Sequence, residues 1–485
     1  MISQLSLNTT YTPSNIQPNI KLRQDTGLKN STDPTFQGSV FDTLRHPYLH
    51  FKVFPQLKTP ELKAAYLEIY KNTNKQGRDD LKFLLGTGKL LSNDADNKTT
   101  TLQNLLRIIK EPRATGLDSK DILNSALRAL ASPYVINQNF GKLNNKVTEH
   151  IKQDPNFARL TQSMGLNGNL PAEYNVENSG TCVAASTEFN LADKRPSEFA
   201  RYAAELTSPN MSVIEDFKFS DLSENLLEAV EWLDTFQIPY DTEDFINGKA
   251  VLKPDANSIY RAISQTQSKQ QGTRSALDTI LQSTFMQLGS QQTYDTLTDI
   301  RTGKLNQSNK GLTEFEKRVT EAIIDDNGGK GSITYQQVDD EACLVGYNKD
   351  HKDTLFDIIN SLKTGSNVIV GITETDETGK INGGHEITIV GTKIGKDGKL
   401  YFICNDTDDN KSEPVERAVE ELIPKIHHAG IPNSVVKATQ VAAQKDITIQ
   451  IPINKNAPMP KINSSVNVWS QFENKINGNK LNLVA

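Results

Sequence analysis

The chain is poor in several residue types, and each shortage argues against a class of protein. Its 485 residues include only three cysteines, without a Cys-x-x-Cys pair, which argues against a disulfide framework or a cysteine-based structural zinc site. It has no block of Lys and Arg that could follow a phosphate backbone, so no nucleic-acid partner is predicted. Its apolar runs, such as 368–372, are far too short to span a bilayer, so no membrane partner is predicted.

The bulk composition is that of a large, mildly acidic chain with polar segments. Apolar residues make up 36%, the formal net charge is −6 and the isoelectric point is near 5.8. The length is enough for two or three domains. Residues 1–6 lack the basic and apolar segments of a secretory signal. We therefore expect a cytoplasmic protein, or one exported without a cleavable signal peptide.

Composition and periodicity predict a chain of several parts. Residues 1–40 are rich in Asn, Thr, Ser, Gln and Pro and are expected to form a disordered tail. Apolar residues at helical spacing predict a helical domain over 41–170 and a helical insertion at about 207–330. The insertion lies within a second domain at 171–455, and 456–485 forms a C-terminal tail.

Towards the C-terminus the apolar period changes from helical to alternating. Lys-Asp-Gly at 396–398 predicts a tight turn between two of the strands. His427 and His428 are interpreted as the end of a helical run, where cations interact favourably with the helix dipole. Helices followed by paired strands predict an α+β fold with an antiparallel sheet. The strands are expected at 332–338, 367–372, 385–390, 400–405 and 443–453.

One segment places a reactive side chain at a predicted helix start. Residues 178–182 read Asn-Ser-Gly-Thr-Cys, and a helix-forming run follows directly. At a helix start, unpaired backbone N–H groups and the positive end of the helix dipole would favour the thiolate of Cys182. The thiolate is the nucleophilic form of cysteine. Cys182 is therefore predicted to be a catalytic nucleophile.

A histidine and two candidate orienting residues follow in the sequence. His385 comes after two glycines and opens a strand, and the next strand ends at Asn405 and Asp406. An imidazole beside a thiol can form a thiolate–imidazolium pair and later protonate the leaving group. It needs an acceptor on its far nitrogen, and either Asn405 or Asp406 could provide one.

The stretch 384–408 resembles papain-like cysteine peptidases, in which Gly-His leads an apolar strand and a second strand carries Asn or Asp. The turn before Cys182 is similar to the Gly-x-Cys turn of that family. The resemblance covers about 171–210 and 330–455, and implies a papain-like fold. It also implies that Asp406, rather than Asn405, orients His385.

The sequence departs from the family at the oxyanion hole. The family has a glutamine six residues before the cysteine, where this chain has Val176. Valine cannot donate a side-chain hydrogen bond, so Asn178 is expected to act with the Cys182 N–H, and Asn175 is a further candidate.

The function predicted is therefore hydrolysis of peptide or isopeptide bonds in a protein or peptide substrate. Related peptidases suggest that 41–170 acts as an inhibitory pro-region. No metal or cofactor is predicted, since Arg417 takes the place of the glutamate that would complete a calcium loop beginning at Asp406.

Three other functions are also compatible with the sequence. The same triad could transfer the acyl group to an amine, as transglutaminase-like enzymes do. The domain could instead be a catalytically inactive module that binds a protein, because the family's glutamine and tryptophan are missing. A structural helical scaffold, with Cys182 as a small buried hydrophobic residue, is the third.

Overall fold

The computed structural model describes part of the chain. The predicted tails at 1–40 and 456–485, the strand at 443–453, and both Asn175 and Asn178 lie outside the described residues. Among the described residues, no helix combines the length and apolar character needed to cross a membrane. The described residues are 56–139, 153, 179–223, 225–240, 246–268, 273–297, 299–301, 303, 311–324, 330–409 and 411–436.

Four helices form the first part of the described chain. Their starts follow local capping rules: Thr59 precedes a proline at the first helical position and accepts a hydrogen bond from the Leu62 N–H. Thr100 and Gln103 form a capping box at the third helix. The helices are α1 Pro60–Asn72, α2 Lys75–Thr87, α3 Thr101–Lys110 and α4 Ser119–Ala131.

Two consecutive helices follow the segment 140–178. Helix α5 spans Cys182–Lys194 and α6 spans Pro196–Leu206. Pro196 separates them because it cannot continue a helix but suits a first helical position. Residues 182–192 of α5 are buried on all sides, as expected for a helix at the centre of a core.

The segment predicted as a helical insertion also contains a small sheet. Strands β1 Val213–Lys218 and β2 Asn247–Leu252 pair antiparallel and alternate between buried and exposed residues. The helical insertion predicted from the sequence did not include these two strands, whose period is two rather than 3.6. The helices are α7 Phe219–Leu222, α8 Leu226–Thr235, α9 Ser258–Ser268, α10 Ala276–Gly289 and α11 Glu314–Ile324.

The C-terminal part is built on an antiparallel sheet of six described strands in the order β3-β10-β6-β7-β8-β9. The predicted α+β class is thus confirmed. Helix α12 His351–Lys363 precedes β6, and the short helix α13 Val419–Leu422 precedes β10. Strands β4 Gln336–Val338 and β5 Leu344–Tyr347 form a separate pair. The six strands are β3 Lys330–Thr334, β6 Val368–Thr375, β7 Ile381–Ile394, β8 Leu400–Asn405, β9 Val415–Ala418 and β10 Ile426–Pro432.

The interpretation of His427 and His428 as the end of a helix was wrong. Both lie on β10, between β3 and β6. Every residue of this strand is buried, so the sequence lacks the polar–apolar alternation that indicates a strand.

Helices α1 to α11 share one hydrophobic core. Tyr66 and Leu105, in α1 and α3, belong to the same buried cluster as Phe189 of α5 and Leu281 of α10. This cluster also includes residues of β7 and β8, while a second cluster fills the space between the sheet and α12. The domain boundaries remain predictions, but the described helices of 56–139 do not have a core of their own.

Candidate active site

Cys182 is the first residue of α5 and lies at the edge of the helical core. Its exposed fraction is 4%. Among the described residues, no side chain caps this helix start. The hydroxyl of Thr181, the residue at the cap position, instead donates to Gln282 Oε1 at 3.0 Å. The first N–H groups of α5 are therefore left to interact with the sulfur or with a ligand beside it.

The turn before Cys182 is held by buried side chains from distant parts of the chain. The Gly180 N–H donates to Asp299 Oδ2 at 2.6 Å, and the Ser179 hydroxyl donates to the Gln138 carbonyl at 2.7 Å. These contacts fix the direction in which the chain enters α5, and with it the position of the thiol.

The pairing of β7 with β8 brings His385 and Asp406 together. Thr388 of β7 lies opposite Asn405 of β8. Continued by one residue, this register places Asp406 opposite Ile387, two residues from His385 on the same face of β7. His385 Nε2 lies 2.8 Å from Asp406 Oδ1. Asn405 leaves the strand in the other direction, and its Nδ2 has no hydrogen-bond partner among the described residues.

The three predicted residues lie together. His385 Nε2 contacts Asp406, and Cys182 is close enough to the ring to raise the pKa of the imidazole, so Nδ1 is the nitrogen left for the thiol. Burial lowers the pKa of His385, but its interactions with Asp406 and Cys182 raise it more, to about 10. The imidazole is thus positively charged at neutral pH, as a thiolate–imidazolium pair requires.

Asp406 is held in its charged form by two cations. Burial raises the pKa of Asp406, but the hydrogen bond and charge of His385 and the charge of Arg417 lower it to about 2. Arg417 Nη2 lies 2.5 Å from Asp406 Oδ2, the oxygen that His385 does not use. Asp406 is therefore ionised at neutral pH, with one oxygen on the imidazole and the other on the guanidinium.

Residues 137–139 connect the two halves of the site. We call this segment the strap. The Gln138 N–H donates to the Thr407 carbonyl at 2.9 Å, and the Thr407 hydroxyl donates to Gln138 Oε1 at 2.9 Å. Gln138 Nε2 donates in turn to the Ser179 carbonyl at 3.3 Å. One buried side chain thus joins the turn before Cys182 to the turn after Asp406.

Gln282 of α10 supports both the strap and α5. Its Nε2 donates to the Asn137 carbonyl and to Glu188 Oε2, each at 3.0 Å, while its Oε1 accepts from Thr181. Burial, with Asp278 nearby, raises the pKa of Glu188 well above its usual value. The residues that support the site from below therefore form a buried, hydrogen-bonded network and not an apolar packing surface.

The other two cysteines lie in different surroundings. Cys404 is fully buried on β8, where burial raises the pKa of its thiol to about 12. Cys343 is half-buried, and burial and the charges of Asp339 and Glu341 raise the pKa of its thiol. Among the described residues, Cys182 is the cysteine that interacts with His385.

Gln138, Gln282 and Arg417 were not predicted as part of the site. Neither glutamine has a local sequence signal, because their partners are distant in the sequence. The partners of Gln138 lie 41 and 269 residues away, and Thr181 lies 101 residues from Gln282. In the sequence, Arg417 served only to exclude a calcium loop, because it takes the place of the required glutamate. Its position across from Phe402 on β9 would have indicated a cation close to the end of β8.

Comparison of the chain with protein-family models, with curated proteins and with solved structures gives no match. A function is therefore inferred from the residues of the site.

Proposed function

We propose that the protein is a cysteine hydrolase of papain-like fold that cleaves peptide or isopeptide bonds. The observation that supports this most strongly is the meeting of Cys182, His385 and Asp406, which joins a helix start to two sheet strands. A core cysteine needs neither a histidine partner nor a carboxylate behind that histidine. The order of roles is that of a nucleophile, a base and an orienting group.

The first half of the reaction makes a thioester. The Cys182 thiolate attacks the carbonyl carbon, and the carbonyl oxygen becomes an oxyanion facing the uncapped N–H groups at the start of α5. The C–N bond then breaks, and the proton of the His385 imidazolium passes to the leaving amine. Asp406 keeps the ring oriented while its charge changes.

The second half restores the enzyme. Neutral His385 takes a proton from water, whose oxygen attacks the thioester carbon. The C–S bond breaks, the acid product leaves, and the thiolate–imidazolium pair forms again. An amine in place of water would give acyl transfer with the same residues.

The first test measures thiol reactivity at each cysteine. Carboxymethylation rates from pH 5 to 9, mapped by mass spectrometry, should be at least about tenfold faster at Cys182 than at Cys343 at neutral pH. His385→Ala should remove most of that difference. His351→Ala is the matched control, because His351 is an exposed histidine at the start of α12. A Cys182 that reacts no faster than Cys343 would overturn the proposal.

The second test looks for cleavage. New N-termini in a denatured protein extract would be compared after treatment with the unmodified chain and with Cys182→Ala. We expect cleavage that depends on Cys182 and is unchanged by Cys343→Ala. Adding a primary amine and looking for amidated products separates hydrolysis from acyl transfer. A reactive thiol without cleavage or transfer would favour a binding module.

A further inference from the structure

A second group of potential ligands lies around β10, a fully buried strand inside the sheet. Atoms of Glu314, His427 and His428 that can bind a metal all lie within 4.8 Å of one another. Glu314 is the first residue of α11, and the two histidines lie on the strand between β3 and β6. The triad of Cys182, His385 and Asp406 does not use these residues.

The backbone is irregular where the histidines lie. Consecutive residues of a regular strand point to opposite faces, so their rings should not meet. The pairing of β10 with β6 shifts register between Ile426 and His428, and His427 Nδ1 lies 2.9 Å from His428 Nδ1. Two nitrogens that bind one tetrahedral Zn²⁺ ion lie about 3.3 Å apart, given bonds of about 2.0–2.1 Å. The irregularity thus brings the two Nδ1 atoms to nearly the required separation.

The opposite strand leaves space for this arrangement. Gly371 of β6 pairs with His428, and a Cβ atom at this position would lie 2.2 Å from His428 Cε1 and 2.7 Å from Glu386 Oε1. Any other residue at position 371 would therefore displace the imidazole or the carboxylate.

The outer contacts are those of a metal-binding histidine. His428 Nε2 lies 2.9 Å from Glu386 Oε1, and Lys317 Nζ lies 2.7 Å from Glu386 Oε2. A histidine that binds a metal through one nitrogen commonly donates the other N–H to a carboxylate, which orients the ring. Thr334 donates to both carboxylate oxygens of Glu314, at 2.9 and 3.0 Å.

The partners of the carboxylates also suit a cation. Glu314 accepts hydrogen bonds from the hydroxyls of Ser332 and Thr334, while Glu386 is paired with Lys317. By contrast, the other described group of close carboxylates, around Glu215, is paired with Arg195 and Arg201.

We propose that Glu314, His427 and His428 form a zinc site in which Glu386 orients His428. Two imidazoles and one carboxylate are ligands that Zn²⁺ accepts, and a fourth position can be filled by water. The ion would join the start of α11 to the centre of the sheet.

The test uses the full chain with Cys182→Ala, so that the thiol and imidazole of the candidate active site cannot bind zinc together. Zn²⁺ affinity is measured by competition with a chromogenic chelator, and bound metal by elemental analysis. We expect one Zn²⁺ per chain. Glu314→Gln and His427→Gln should each weaken binding at least tenfold, and Glu386→Gln by about 10- to 100-fold, as for other outer-shell partners. His351→Gln should leave the affinity unchanged.

Two results would overturn the proposal: less than one ion per chain, or equal affinity in all of these variants. The two histidines would then be only hydrogen-bonded to each other, with His428 beside the Glu386 carboxylate. If a variant fails to fold, X-ray absorption of the zinc-loaded Cys182→Ala chain decides the question. Nitrogen and oxygen neighbours with an imidazole signature support the site, while sulfur neighbours or water alone contradict it.

Discussion

At the scale of single residues, the charge of Asp406 sets the behaviour of the candidate active site. Its two oxygens contact His385 and Arg417, so it is surrounded by positive charge. The same carboxylate contributes to the raised pKa of His385. Replacing it with an isosteric amide removes the charge and keeps the size.

We therefore predict that Asp406→Asn lowers the pKa of His385 from about 10 towards the ordinary value of 6.5. Histidine-selective NMR titration would measure it, with the signal assigned through His385→Gln. Glu413→Gln is the control, since Glu413 is an exposed carboxylate in the loop that follows Asp406. An unchanged pKa in Asp406→Asn would mean that the carboxylate does not interact with the ring as an anion.

The same titration predicts how stability depends on pH. The pKa of His385 is higher in the folded chain than the ordinary value of 6.5. Its contribution to the free energy of unfolding is fully present below pH 6.5 and is lost as the pH rises through about 10. Urea unfolding between pH 6 and 10 should therefore show a smaller loss of stability in His385→Gln than in the unmodified chain. Equal losses in the two proteins would contradict this.

At the scale of elements, the strap is the connection that the site most depends on. We predict that Gln138→Ala lowers the free energy of unfolding by about 2 kcal/mol, because buried hydrogen-bond partners are left unsatisfied. It should also slow alkylation of Cys182 by at least about tenfold, since the turn before α5 loses its link to the turn after Asp406.

Gln336→Ala is a matched control for Gln138→Ala. Gln336 is also a buried glutamine that donates to a carbonyl, of Pro424, and accepts from a threonine hydroxyl, of Thr373. It should cost similar stability and leave Cys182 reactivity unchanged. If both variants slow alkylation equally, the effect of Gln138 is one of general stability.

Two glycines of neighbouring strands should differ in how much stability is lost when each is replaced by alanine, because side chains approach one of them much more closely. Gly371→Ala should lower the free energy of unfolding by about 1–3 kcal/mol, because its Cβ would overlap His428 and Glu386. Gly383→Ala should cost less, since its nearest neighbour, a Glu374 atom, would lie 3.9 Å away. Chemical denaturation of both variants tests this, and equal costs would contradict the packing around His428.

The elements of the sheet differ in how well they can be predicted from the sequence. The hairpin of β7 and β8 has a turn signal and strands adjacent in the sequence, so the meeting of His385 and Asp406 follows from local rules. Strand β10 has neither alternation nor a partner adjacent in sequence, and its histidines were misassigned. The contacts of Gln138 and Gln282 depend on packing between segments that are distant in the sequence, which periodicity does not report.

At the scale of the whole molecule, the helices of 56–139 are part of the same core as α5. Leu81, Leu105 and Leu127 are fully buried in the cluster that contains Val183 and Phe189. The strap, which follows these helices, is hydrogen-bonded to both halves of the site. Such packing is unlike that of a segment that can be removed without loss of the remaining fold.

We predict that deleting 56–139 abolishes folding and does not activate the protein. Circular dichroism and thermal unfolding of the deleted and intact chains would measure this. A deleted chain that unfolds cooperatively and alkylates faster at Cys182 would instead support the inhibitory pro-region expected from related peptidases.

The strand β7 presents two different chemistries on consecutive residues. His385 contacts Cys182 and Asp406, while Glu386 contacts Lys317 and His428. Side chains of a strand alternate strictly, so inserting or deleting one residue before His385 within β7 would exchange the two directions. A carboxylate would then face the thiol, and an imidazole would face Lys317. The length of β7 before His385 is consequently under tighter constraint than the identity of most of its side chains. Natural variation in this stretch should take the form of substitutions and not of changes in length.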